Sequence, residues 1–89
     1  MARAIIGDFE QAQAAGPVAA EAYYQLGIKY AAGRGVARDY VTAHKWLNLA
    51  AMQGDERARS ERAALAGEMS REEIFEAQRL ARAWLSSVN

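Results

Sequence analysis

The sequence predicts an all-α fold of about five antiparallel helices, and three observations carry that prediction. Hydrophobic residues recur at helical spacing within segments rich in alanine, leucine, arginine, glutamate and glutamine, all good helix formers. The chain has a single proline, and the dipeptide Gly16-Pro17 suits a helix start, where a missing amide proton costs little. Glycines punctuate the chain at Gly16, Gly33, Gly35, Gly54 and Gly67, where a backbone tolerant of the left-handed conformation ends a helix without steric cost. At 89 residues the chain is read as one domain, 1–89, small enough that every helix must contribute packing area.

Taken in order, the segment 3–15 sets Ile5, Ile6, Phe9, Ala12 and Gln13 along one helical stripe. The second segment, about Val18 to Ala32, aligns Ala22, Leu26 and Tyr30 on one face, flanked by Tyr23 and Gly27. Gly33 to Arg38 makes a short turn, and Asp39 caps a third segment with Ala43, Trp46, Leu47, Ala50 and Ala51 on its apolar side. The fourth, about Asp55 to Ala66, has a weaker stripe, because Arg59 and Arg62 interrupt Ala58 and Leu65. The fifth opens at Ser70-Arg71-Glu72-Glu73, with serine and glutamate at capping-box spacing, and runs through Ile74, Ala77, Leu80, Ala81, Trp84 and Leu85. Short connections make neighbours antiparallel, giving successive hairpins. A weak internal repeat agrees with this: Gly16 and Ala20 recur as Gly54 and Ala58, and Asp39, Ala43 and Ala50 recur as Ser70, Ile74 and Ala81.

One glycine falls inside a helix. Gly27 costs about 1 kcal/mol relative to alanine there, which is best explained by a partner helix approaching where a side chain would clash. Ala43 and Ala50 are the expected small counterparts, with Leu26, Tyr30 and Trp46 filling the space between helices.

The stretch AYYQLGIKYAAGRGVARDYVTAHKWLNLAAMQGDERA resembles a Sel-one-like repeat, a relative of the tetratricopeptide repeat, at Ala22, Leu26, Gly27, Tyr30, Gly33, Gly35, Val36, Asp39, Ala43, Trp46, Ala50, Ala51, Gly54 and Ala58. The resemblance implies an α–α superhelix, a short right-handed solenoid. It divides the chain into a helix of a preceding half-repeat (3–15), a full repeat (18–54) and a closing helix pair (55–86). The segment RSERAALAGEMSREEIFEAQRLARAWL is similar to the closing helices that follow such repeats in bacterial proteins.

Catalytic chemistry finds little material. His44 is the one histidine and falls beside Ala43, on the side expected to be solvated; a metal site or a serine–histidine triad needs further members that the sequence does not supply. Cysteine is absent, which removes thiolate ligands and nucleophiles together. Glu68, Glu72, Glu73 and Glu76 gather at a helix start, where the helix dipole favours negative charge. The GRGV turn lacks the lysine and hydroxyl residue of a phosphate-cradling loop. Eleven basic residues balance eleven acidic ones, and Arg57, Arg59, Arg62 and Arg71 are interleaved with Glu56, Glu61 and Glu68, so no footprint for nucleic acid forms. The expectation is a protein that is not an enzyme, with no catalytic residue, cofactor or metal. Asp8 and Glu10 interrupt any secretory core and no segment is apolar enough to enter a membrane, so the expected location is the cytoplasm.

The expected function is therefore an adaptor or scaffold that binds a protein or peptide. In tetratricopeptide-like stacks the first helix of each hairpin lines the concave face, so the resemblance assigns that face to Glu21, Tyr24, Ile28 and Ala31, extended by Arg59 and Arg62. Tyr24 and Ile28 stand four apart and share a helical face. The alternative is a structural role in which the edge at Ile5, Ile6 and Phe9 pairs with another copy, making a homodimer. An enzyme of the cell envelope, as linked to cysteine-rich members of the family, is the third reading; the cysteine framework it requires is absent.

Overall fold

Local chemistry sets where each helix begins. In the computed structural model, which describes residues 16–88, four helices follow in order with no strand among the described residues: α1 (Pro17–Ala32), α2 (Tyr40–Met52), α3 (Glu56–Ala66) and α4 (Arg71–Val88). The segment 3–15, with Ile5, Ile6 and Phe9, lies outside the described residues. Pro17 takes the first position of α1. Asp39 caps α2, its carboxylate accepting from the Thr42 amide at 3.1 Å and the Thr42 hydroxyl at 2.8 Å. Asp55 caps α3 by accepting from the Ala58 amide at 3.2 Å. Ser70 and Glu73 form the expected reciprocal box before α4: the Ser70 amide donates to Glu73 Oε1 at 2.8 Å, and the Glu73 amide donates to Ser70 Oγ at 3.1 Å.

The helix ends divide into two kinds. Gly33 and Gly35 both hold φ near 73°, and the amides of Gly33 and Arg34 both donate to the Lys29 carbonyl, so the chain reverses within a few residues. The Asp39 amide then returns to the Tyr30 carbonyl at 3.0 Å and closes the turn. Gly67 departs from expectation. It stays right-handed at φ −64°, because the amides of Gly67, Glu68 and Met69 donate in succession to the carbonyls three residues back, tightening the last turn of α3 instead of reversing it.

The core is organised around α2, which packs closely against α1, α3 and α4. Ala43, His44, Trp46, Leu47, Leu49, Ala50 and Ala51 are all buried, covering more than half of the circumference of the helix. His44, expected on a solvated side, is only 3% exposed. The reason is positional: a helix with neighbours on three sides has no free side at that level.

The face of α1 turned to α2 is the one expected, though it is enclosed unevenly. Its buried face is Ala19, Ala20, Ala22, Tyr23 and Gly27, while Leu26 and Tyr30 are only half-buried. Gly27 does mark a close approach, but its counterpart is Leu47 rather than Ala43 or Ala50. A Cβ at Gly27 would sit 2.6 Å from Leu47 Cγ and Cδ2 and 3.2 Å from the Leu47 amide nitrogen. The bare glycine is a socket into which a large side chain is set. Leu26 and Tyr30 lie along the same face and pack against the core while staying partly exposed.

An aromatic cluster ties the last helix to the first two. Tyr23 stacks on Trp46 with centroids 5.6 Å apart, Trp46 meets Trp84 edge-on at 5.0 Å, and Trp84 Nε1 donates to the Tyr23 hydroxyl at 3.1 Å. Such ring pairs contribute about 0.5–1.5 kcal/mol each beyond the area they bury. Lys45 lays its ammonium 4.2 Å from the centre of the Trp46 ring, and burial there pulls its pKa below the ordinary lysine value.

Candidate protein-docking face

The side of the molecule shared by α1 and α3 holds most of the residues assigned to a docking face, and two arginines of α3 organise it. Arg57 is placed by the cap of its own helix. Asp55 must precede α3 to accept the Ala58 amide, and its two oxygens also accept from Arg57 Nε at 3.2 Å and Nη2 at 2.7 Å. Held in this way, the guanidinium lies 3.9 Å from the centre of the Tyr24 ring and donates to Glu21 at 2.6 Å. Glu21 also accepts from Gln25 at 2.8 Å, and these two hydrogen bonds hold its carboxyl below the usual glutamate range. Asp55 is lowered in the same direction, chiefly by its bond to Arg57, and the Arg57 pKa is raised in return.

Further along α3, Arg62 is half-buried and donates from Nη1 to the Asn48 side-chain oxygen of α2 at 2.5 Å. His44 lies one turn from Asn48 on the same helix, and Nδ1 is a fully buried atom with no hydrogen-bond partner among the described residues. Burial, followed by the positive charge of Arg62, pushes the His44 pKa below its ordinary value and keeps the ring neutral. Ile28 and Ala31 are half-buried and pack against the core from α1.

Of the residues assigned from sequence, Glu21 and Tyr24 are brought together through Arg57, while Arg62 joins α3 to α2. Ile28 and Ala31 continue the Tyr24 side of α1. Arg59 joins none of them: its side chain is exposed and paired only with Glu56 at 3.6 Å. Arg57 and Asn48 were missed as neighbours of these residues, and His44 as a buried group beneath them. For Arg57 a signal existed, since an arginine two residues after a capping aspartate can reach back to it. Asn48 and His44 gave none, because their place depends on how α3 crosses α2. Among the described residues no group of three or more histidine, aspartate or glutamate side chains is arranged to hold a metal ion. No described helix is long and apolar enough to cross a membrane.

The two capped helices α1 and α2, the glycine turn between them and the Gly27 socket coincide with residues 20–55, which match the family model of the Sel1 repeat. That segment is similar to a Sel1 repeat. The matched segment ends at Asp55, so α1 from Ala20 onward, the turn and α2 constitute it, and α3 with α4 follow it. Sel1 repeats generally mediate protein–protein interaction. No curated relative and no solved structure matches the chain.

Proposed function

We propose that the protein is an adaptor or scaffold without catalytic activity, which binds a peptide or protein segment on the face formed by α1 of its Sel1-like segment and the following α3. The observation that carries this reading is the Tyr24–Arg57 stack. An aromatic ring with a guanidinium 3.9 Å above it, beside the half-buried Ile28, offers the combination of tyrosine, arginine and aliphatic surface from which anchor points of protein interfaces are built. Both side chains are already held in place by intramolecular bonds, so binding costs little side-chain entropy. A role in the cytoplasm is part of the same proposal.

The test compares the native chain with the double variant Tyr24→Ala/Ile28→Asp as bait in quantitative affinity capture from the source cell. The variant Phe75→Ala serves as control, because Phe75 is exposed on α4. Loss of a partner from the double variant alone, with helicity and oligomeric state unchanged, supports docking on this face. Equal capture by all three chains moves the binding surface elsewhere.

A further inference from the structure

We infer that the ligand of this face is an acidic peptide segment, in which an aspartate or glutamate side chain docks on Arg62 next to an aliphatic or aromatic residue packed on Tyr24 and Ile28. This rests on the docking reading above and names the chemistry of the partner. The inference comes from the contrast between the two arginines. Arg57 is neutralised: two carboxylates accept from its Nε and Nη2 atoms, only its Nη1 is without an acceptor among the described residues, and the flat face of the group lies on Tyr24. Arg62 has one bond, from Nη1 to a neutral amide oxygen, and no carboxylate among the described residues pairs with it. A guanidinium carries five N–H donors in a planar fork suited to a carboxylate. Four of those donors have no acceptor among the described residues, on a side chain that is half-buried and oriented by Asn48.

The surroundings favour an anion at this point. His44 is kept neutral, so it contributes neither a compensating charge nor a competing one. The negative charge on this side of the molecule is concentrated at the other end of α3, where Glu21 and Asp55 together outweigh Arg57. Arg62 is therefore a positive charge beside Asn48 with no carboxylate partner among the described residues, while Lys29 and Arg34 lie beyond Gln25. Charge complementarity sets the sign of the ligand: its acidic residue lies at Arg62.

The experiment pans a displayed library of random dodecapeptides against the full chain and then measures the selected peptides by fluorescence anisotropy. The measurement is repeated on Arg62→Gln, Arg62→Glu and Arg59→Gln, each checked for unchanged helicity. The expected peptides carry aspartate or glutamate beside an aliphatic or aromatic residue. Their affinity falls by about tenfold or more in Arg62→Gln, as for a lost charge-assisted bidentate contact, and by less than about twofold in Arg59→Gln. Panning on Arg62→Glu selects basic residues in place of acidic ones. Peptides that lack acidic residues, or that ignore Arg62 while still losing affinity in Tyr24→Ala, overturn the acidic ligand and leave the docking face standing. Failure to select any peptide, or selected peptides indifferent to Tyr24, Ile28 and Arg62 alike, overturns both.

Discussion

The α1–α2 hairpin and the α3–α4 pair are built from helices of comparable length but by different means. In the hairpin, large side chains are fully enclosed: Tyr23 and Leu47 are each 1% exposed and Leu49 is wholly buried. In the closing pair the buried residues are Ala58, Leu65, Ala77 and Ala81, mostly small, and the remaining surface of α3 is charged. Nor do the last two helices depend chiefly on each other. Both lie against α2, and α4 reaches α1 through Trp84 and Tyr23. The difference teaches that the segment 20–55 encloses the large side chains of the core, while the closing helices are held to it by alanine contacts, one aromatic cluster and their caps. A docking face that spans the two parts therefore rests on α2 as a common floor.

Three measurements sharpen or break this comparison. The largest effect is expected from Leu47→Ala, which empties the Gly27 socket and costs about 2–5 kcal/mol in denaturant unfolding, against about 2 kcal/mol or less for Leu65→Ala at the edge of α3. Equal losses at the two sites would erase the distinction between hairpin and closing pair. Next comes Gly27→Ala. The added methyl gains about 1 kcal/mol of helix propensity but collides with Leu47, and overpacking of this kind costs about 1–3 kcal/mol, so a net loss of up to about 2 kcal/mol is expected. A stabilised variant would mean that Leu47 yields and the socket is loose.

The smallest effect is the pH dependence contributed by His44. Its folded-state pKa is depressed below the ordinary value of 6.5 by burial and by Arg62, so below that value the unfolded chain binds a proton that the folded chain refuses. Stability is full above about pH 6.5 and declines as pH falls through that value toward the depressed folded pKa. Thermal midpoints recorded between about pH 7.5 and about pH 5.5 should fall for the native chain and stay level for His44→Gln, the carboxylates titrating only below this window. A matching decline in the variant would place the titrating group elsewhere.

The helix starts were legible because each is a local chemical event: Asp39, Ser70 with Glu73, and Pro17 act within their own first turn. Glu21, Tyr24 and Ile28 were legible as one stripe of α1 for the same reason. The Arg57 bridge was half-legible, through Asp55 alone.

Sequence by itself thus determined the all-helical class, the caps, the glycine turn after α1 and the repeat signature, all features settled within a few residues of chain. Tertiary structure decided that Leu47, rather than an alanine, enters the gap at Gly27, that Tyr23 is enclosed more fully than Leu26 or Tyr30, and that His44 is enclosed. It also decided that Arg57 is neutralised while Arg62 is left with an open donor face. These outcomes depend on which helices surround α2 and at what height they cross it. A hydrophobic period identifies a face, but the partner that covers the face is selected by the packing of the whole chain.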